Sequence, residues 1–425
     1  MRDRNISLTV MAGLLGQLGR PLVSLITLPV LIGYLGQDGL GVWMVALSMM
    51  GLVGFVSTGM SSSVITLIGR ASGNSSDLHG LVSAAVFVAV IWGLVVVLLA
   101  VPAVLMLDWT SLLKLHSASL GADLRQLIVA LALLLAFGFV AVVPRQVMVG
   151  RMHGYLAHLL DLSGVVIGAV ALIAAIWLRA PLWVLGMAFM APSYLLFLAA
   201  GLIYLHRSGI SVGAKHFDMA TFSTLARDSI RMAGYQSAYA VSSQSDLLLI
   251  GIILGAPASA VYGVAQRVFS LPVLLSATVN YAQWPAMARA DAAGDTQLVA
   301  QMFRYTLAIG TGAALSASIV IALNYDSLMN LWLGHTLKAE PSVLIGMVVW
   351  VTVATMTNTC DSVLRAQNET MLLMRAMMLM AVINIAVTVL LLHWIGAAGA
   401  IWGSVAGFTL ALLLPYGLKL RATLA

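Results

Sequence analysis

Residues 81–107 read LVSAAVFVAVIWGLVVVLLAVPAVLML, an uninterrupted run without a charged side chain. A helix needs about 20 apolar residues to cross the hydrocarbon core of a bilayer. This run is long enough for one such helix, and similar runs recur from one end of the chain to the other. The sequence therefore predicts an all-α polytopic membrane protein.

The composition excludes an ordinary soluble protein. Of the 425 residues, 61% are hydrophobic and only 8% are charged, whereas soluble domains have about 25% charged residues. Residues 1–5 are short and basic, but the apolar segment that follows is too long for the core of a signal peptide. We expect this segment to remain in the protein as its first span.

Charged residues, glycines and prolines divide the chain into about twelve predicted transmembrane spans. The first six cover residues 8–35, 40–68, 81–107, 124–147, 156–178 and 182–204. The last six cover residues 229–254, 258–287, 303–323, 342–364, 371–393 and 397–418. A polar linker at residues 206–227 separates the two sets. We predict two six-helix bundles, residues 1–205 and residues 228–425.

The distribution of basic residues predicts the orientation. With the N-terminus in the cytoplasm, fifteen of the 21 lysines and arginines fall on the inner side and four on the outer side. Such a bias is typical of cytoplasmic loops, so both termini are predicted to be cytoplasmic. The net charge of +6 comes from these dispersed residues, and we therefore expect no nucleic-acid partner.

The two sets of spans show an internal repeat at a constant offset in sequence. Leu35 and Gly36 match Leu254 and Gly255, and Arg70 matches Arg289, among eight identities over 36 positions. Spans one and seven both start on the inner side. The repeat is therefore predicted to be parallel, with an axis along the membrane normal.

Asp246 and Arg267 are two of the three charged residues that lie deep inside predicted spans, away from the span ends, where a charge is costly unless it faces protein or water. Each lies nine residues from the outer end of its span, or about 13 Å at 1.5 Å per residue, so we predict that they are partners. One interpretation is a buried ion pair that locks span seven to span eight. The other is a protonatable or substrate-facing pair.

Arg20 is the third such residue, and it lies near the middle of span one, directly before Pro21. No acidic residue is close to it in sequence. A guanidinium group offers five donors in a fork that suits phosphate, so Arg20 is a candidate anchor for a diphosphate. The alternative is an acidic partner on another helix.

Polar side chains form a stripe on span seven and recur on spans two and eight. Hydroxyl, amide and aromatic groups suit sugar rings, but small polar residues also join packed helices, and both interpretations stay open. The residues are Tyr235, Tyr239, Ser242, Asp246, Ser57, Ser61, Gln266 and Asn280.

The sequence offers no catalytic or metal-binding pattern. Cys360 is the only cysteine, and the eight histidines are scattered without ligand spacing, so neither a metal nor a cofactor is predicted. No nucleotide-binding or hydrolase motif occurs, and we predict no enzyme activity. Arg145, Asp161 and Asp361 lie at inner helix ends, where such residues usually anchor the headgroup interface.

Three stretches carry a family resemblance. They are Tyr34-Leu35-Gly36 through Gly41-Val42-Trp43 to Arg70, Asp246 through Gly255 followed by Val261-Tyr262-Gly263, and Val363 through Asn368. With these motifs the chain resembles the polysaccharide-transporter branch, of the O-antigen flippase (Wzx) type, of the multidrug/oligosaccharidyl-lipid/polysaccharide exporter superfamily.

The resemblance implies two six-helix bundles around a central cavity that opens alternately to either side of the bacterial inner membrane. It also implies transport of undecaprenyl-diphosphate-linked oligosaccharide, a unit of lipopolysaccharide or exopolysaccharide, to the outer leaflet. Arg20 and Arg267 would bind the diphosphate, and polysaccharide polymerase or assembly proteins are expected partners. The related lipid II flippases have two more helices, which argues against that narrower identity.

Three other functions compete with this prediction, and the arginines inside the spans argue against one of them, a non-transporting scaffold. An ion-coupled drug or cation antiporter of the same superfamily would share the fold, but its cavity is expected to be acidic, whereas two arginines and one aspartate lie deep inside the spans here. A membrane glycosyltransferase would need larger outer loops than residues 108–123 and 324–341.

Overall fold

The computed structural model describes residues 2–71, 75–334, 337–367 and 369–424. The side chains of some helical residues are outside the described set. Within these ranges the regular structure is helical throughout, and no strand occurs. The predicted all-α fold class is confirmed.

The helices follow one another with short connections. The first seven are α1 (Arg2–Ala71), α2 (Ser75–Met106), α3 (Trp109–Leu112), α4 (Ala118–Ala141), α5 (Val143–Gly150), α6 (Gly154–Trp177) and α7 (Leu182–Arg207). After a 3-10 helix (Ala214–His216) come α8 (Met219–Leu254), α9 (Ala256–Ala292), α10 (Thr296–Leu323), α11 (Tyr325–Leu333), α12 (Pro341–Ala366), α13 (Thr370–Ile395), α14 (Ala398–Gly407), a π-helix (Phe408–Leu413) and α15 (Leu414–Leu424).

Ten helical stretches of the described chain are long and apolar enough to cross a membrane. The first, Pro21–Gly69, is 49 residues long and contains the break at Gly36, so it provides two spans. With the first stretch counted as two spans, the described residues contain eleven segments of sufficient length. The predicted span seven corresponds to α8, of which the described apolar part, Gln244–Leu254, is shorter.

The helices of both predicted repeats break at equivalent glycines. Gly36 inside α1 has φ 68° and ψ −176°, and Gly255 between α8 and α9 has φ 103° and ψ 164°. A β-carbon is unfavourable at such positive φ angles, whereas glycine adopts them readily. The offset of the predicted repeat maps the first of these glycines onto the second.

The chain divides into two compact units. Unit 1 contains residues 1–34 and 49–237, and unit 2 contains residues 35–48 and 238–425. The early part of span two therefore belongs to unit 2. The division into bundles at residues 206–227 stays a prediction.

Helix α8 begins ten residues before the predicted start of span seven. Asp218 accepts hydrogen bonds from the backbone N–H of Thr221 at 2.8 Å and from its hydroxyl at 2.6 Å, which is the geometry of a helix N-cap. Only residues 208–218, called the linker below, separate α7 from α8.

Glycines at four-residue spacing bring α6 close to α7 in unit 1 and α14 close to α13 in unit 2. In unit 1, a β-carbon at Gly168 would lie 2.2 Å from the carbonyl oxygen of Phe189, which joins α6 to α7. In unit 2, one at Gly399 would lie 2.4 Å from the backbone of Leu391, which joins α14 to α13. Small residues at this spacing are typical of packed transmembrane helices.

Residues 35–48 pack against the start of α9 inside unit 2. A β-carbon at Gly41 would lie 1.9 Å from the carbonyl oxygen of Ala256. Nearby, the side-chain amide of Gln37 donates to the carbonyl oxygen of Pro257 at 3.4 Å. The absence of a side chain at position 41 permits this close approach.

Candidate functional site

Asp246 is the centre of a buried polar cluster in unit 2. Its Oδ2 accepts hydrogen bonds from the hydroxyl groups of Tyr262 on α9 (3.0 Å) and Ser404 on α14 (2.9 Å). Asn384 on α13 donates from Nδ2 to the Ser404 hydroxyl at 2.8 Å. Four helices therefore meet around one carboxyl group, which is itself only 2% exposed.

The second carboxyl oxygen of Asp246, Oδ1, is buried and has no hydrogen-bond partner among the residues that the structure describes. A buried acceptor without a donor costs about 1–3 kcal/mol, and more if it is charged. A proton on Oδ1 would remove that charge, while Oδ2 could still accept from both hydroxyl groups. The arrangement suits a carboxyl group that takes up and releases a proton.

The predicted pairing of Asp246 with Arg267 is wrong. The partners of the Asp246 side chain within the described residues are Tyr262 and Ser404, and no ion pair joins it to Arg267. Equal depth in the membrane does not fix the direction in which a side chain points. Arg267 follows Tyr262 by five residues on α9, which turns it about 140° away from the face that meets Asp246.

Arg267 lies inside the predicted span eight and is partly exposed. Its carbonyl oxygen accepts a hydrogen bond from the Ser270 hydroxyl. Within the part of the chain that the structure describes, no hydrogen bond or ion pair involves its guanidinium group. A cation without a counter-ion in an apolar segment is able to bind an anionic group.

Two of the predicted polar residues, Ser61 and Asn280, participate in helix packing. In unit 1, Gln146 on α5 donates to the Ser61 hydroxyl at 2.7 Å, and that hydroxyl donates to the carbonyl oxygen of Ser57. In unit 2, the amide of Asn280 donates to the Thr359 hydroxyl at 3.4 Å. The contacts of Gln146 with Ser61 and of Asn280 with Thr359 join neighbouring helices, as the packing interpretation expects.

The other predicted residues are less constrained by the structure. Gln266 is partly exposed and precedes Arg267 on α9. The side chains of Arg20, Tyr235, Tyr239 and Ser242 lie outside the described set. The described candidates thus belong to unit 1 (Ser57 and Ser61) or to unit 2 (Asp246, Gln266, Arg267 and Asn280).

Sequence reasoning missed Asn384 and Ser404. Both are single polar residues in otherwise apolar stretches of helix, and both are nearly or fully buried. Because a polar side chain inside a membrane helix is usually paired within the protein, their isolation was the available signal. Their distance from Asp246 in the chain gave no reason to place them beside it.

Asp161 and Asp361, which the sequence places at predicted inner helix ends, form ion pairs. Arg145 binds both carboxyl oxygens of Asp161, at 3.2 Å and 2.5 Å, and His158 lies 3.7 Å from the same group. Arg365 pairs with Asp361 one helical turn away, at 2.5 Å.

Solved structures with the same fold cover nearly the whole chain. An inward-facing multidrug resistance MATE family transporter of the MOP superfamily matches 96% of this chain and 98% of its own, with a TM-score of 0.74 and 14% identity. The lipid II flippase MurJ, in an inward closed conformation, matches 97% of this chain and 87% of its own, with a TM-score of 0.74 and 12% identity. These proteins are transporters and flippases, not enzymes.

A third structure is a MOP superfamily transporter from Pyrococcus furiosus whose binding pocket is described as having reversed polarity. It matches 99% of this chain and 96% of its own, with a TM-score of 0.65 and 13% identity. No curated protein sequence matches the chain.

Two family models match the sequence. The MatE model covers residues 232–390. The model described as polysaccharide biosynthesis protein covers residues 4–291, about two thirds of the chain. The predicted superfamily is confirmed, and the chain belongs to the polysaccharide biosynthesis protein family.

Proposed function

We propose that the protein is a flippase that moves undecaprenyl-diphosphate-linked oligosaccharide from the cytoplasmic to the outer leaflet of the bacterial inner membrane. It does so by alternating access, with both termini in the cytoplasm. The glycan is a repeat unit of O-antigen or exopolysaccharide, which polymerase or assembly proteins use afterwards.

The observation that carries this proposal is Arg267, whose guanidinium group has no counter-ion among the described residues although it lies inside a span. Such a cation is costly in the membrane unless a ligand uses it. A diphosphate offers the oxygen geometry that a guanidinium fork binds. Arg20 in span one is the second proposed anchor.

The family and the fold support the same substrate class. The matching model describes polysaccharide biosynthesis proteins, and one protein of the same fold is a flippase for lipid II. A lipid-linked saccharide combines an apolar tail, an anionic linkage and hydroxyl-rich sugars. The partly exposed Gln266 next to Arg267 is a candidate contact for the sugar beside the phosphate, with Tyr235, Tyr239 and Ser242 as further candidates.

The test is a leaflet-accessibility assay in proteoliposomes with fluorescent undecaprenyl-diphosphate-linked oligosaccharide. Wild type should translocate the lipid, and Arg267→Ala should lose most of the activity at an unchanged melting temperature. Arg304→Ala is the matched control, because Arg304 is an exposed arginine on α10. Full activity in Arg267→Ala would exclude this arginine as the anchor, and inactivity of wild type with every such lipid would contradict the flippase.

An ion-coupled drug or cation antiporter is the second candidate. The MatE match favours it, and so does the buried carboxyl group of Asp246, which has one oxygen unpaired among the described residues. Uptake of an organic cation by the same proteoliposomes, coupled to an imposed proton gradient, would establish this function instead.

A further inference from the structure

The linker between α7 and α8 is docked onto α2 in unit 1. The backbone N–H of Gly213 donates to the Ser83 hydroxyl at 3.1 Å. Phe217 meets the ring of Phe87 edge-on, with a centroid distance of 4.8 Å. The linker therefore packs in a defined position against the first half of α2.

Two histidines occupy the centre of this contact, and we call them the histidine pair. His79 on α2 and His216 at the end of the 3-10 helix stack with ring centroids 5.1 Å apart. The backbone N–H of Ser211 donates to His79 Nδ1 at 2.9 Å, and the Ser211 hydroxyl lies 2.8 Å from His216 Nε2. Both rings are partly exposed, so protons from solvent can reach them.

The geometry requires a neutral His79. A ring nitrogen that accepts a hydrogen bond has no proton, and both ring nitrogens of a charged imidazolium are donors. Protonation of Nδ1 would therefore replace the Ser211 hydrogen bond with a contact between two donors. Protonation of both rings would also place two positive charges about 5 Å apart, where they repel.

The charged residues next to the histidine pair in sequence lie on α2 and in the linker. Lys215 precedes His216 and is exposed. Asp218, the last residue of the linker, already accepts hydrogen bonds from Thr221 as the N-cap of α8. Asp77 lies two residues before His79 on α2, with its side chain outside the described set.

We propose that the histidine pair holds the linker on α2 at neutral pH and releases it on acidification. Histidine is the side chain that ordinarily changes charge between about pH 5 and pH 8. Release would remove the attachment to α2 of the linker that precedes α8. The first half of α8 belongs to unit 1 as far as Ser237. The proposal does not depend on what the protein transports.

Distance measurements between two spin labels test it. In a Cys360→Ser background, labels at Val212→Cys in the linker and Leu94→Cys on α2 occupy exposed positions. A narrow distance distribution at about pH 8 should become broad at about pH 5.5. An unchanged distribution in wild type would overturn the proposal.

The control variant combines His79→Gln with His216→Phe. Glutamine keeps an uncharged acceptor for the Ser211 N–H, and phenylalanine keeps the ring stack. This variant should retain the narrow distribution at both pH values. Broadening on acidification in the double variant would show that another group is responsible. If the double variant does not fold, His79→Gln alone provides the test, because it removes the ring nitrogen that accepts from the Ser211 N–H.

Discussion

Gly36 and Gly255 share a backbone conformation with positive φ and a ψ angle near 180°. Each ends the first span of one predicted repeat. An identity between two glycines is weak evidence in a chain with 38 of them. A shared conformation that other residues rarely adopt is stronger evidence that the two hairpins have a common origin.

The close approach of Gly41 to Ala256 predicts a strong effect of a single methyl group. Gly41→Ala would place its β-carbon 1.9 Å from a backbone carbonyl oxygen, and overpacking of this kind costs about 1–3 kcal/mol. We expect a lower melting temperature in detergent. Gly33→Ala is the control, because a β-carbon there meets nothing within 4 Å; equal melting temperatures for the two variants would contradict the close approach.

The ion pairs of Asp161 and Asp361 predict unequal effects. Asp161→Asn weakens a two-bond contact with Arg145, whose side chain is only 20% exposed, and should cost about 1.5–3 kcal/mol. Asp361→Asn breaks a pair one turn apart with Arg365, which is 43% exposed, and should cost about 0.3–0.5 kcal/mol. Thermal unfolding of the two variants measures the difference, and a reversed order would disprove this ranking.

The cluster around Asp246 predicts that one substitution can change the coupling of transport to a proton gradient without changing the stability of the fold. Asp246→Asn keeps an acceptor for Tyr262 and Ser404 but cannot release a proton. We expect the variant to fold normally and to lose any stimulation of transport by an imposed pH gradient. Tyr262→Phe retains the carboxyl group and should still respond to the gradient; stimulation that persists in Asp246→Asn would exclude this residue as the proton carrier.

The cap of α8 predicts a pH effect well below that of the histidine pair. Hydrogen bonds from Thr221 lower the pKa of Asp218. A carboxyl group with a lowered folded-state pKa stabilises the fold above its unfolded pKa of about 3.9, and this stabilisation is lost as pH falls through the folded value. Hydrogen exchange of the first turn of α8 should accelerate there, after correction for the intrinsic pH dependence. In Asp218→Asn, which retains a capping side chain, this acceleration should be absent.

Hydropathy predicted the spans because each transmembrane helix must satisfy its own backbone in lipid. Residues 81–107 indicate a helix without reference to any other part of the chain. The hairpin glycines were also visible, since their conformation favours one residue type.

The polar cluster was less predictable because it depends on the direction in which each helix turns. Asp246 and Arg267 lie at the same distance from the ends of their spans, but their side chains point in different directions around the helix axes. Their predicted pairing therefore failed. Ser404 comes 158 residues after Asp246, and only the packing of α14 against α13 at Gly399 and Gly403 brings it to the carboxyl group. No local pattern encodes that rotation.

The assignment of residues 35–48 to unit 2 has a consequence for biosynthesis. These residues leave the ribosome long before Ala256, the residue against which Gly41 packs. At about 5–20 residues per second, the delay is roughly 10–40 s. During that interval the nascent protein holds a membrane-inserted helix whose final neighbour does not yet exist, so lipid or an insertion factor must occupy the face that α9 later covers.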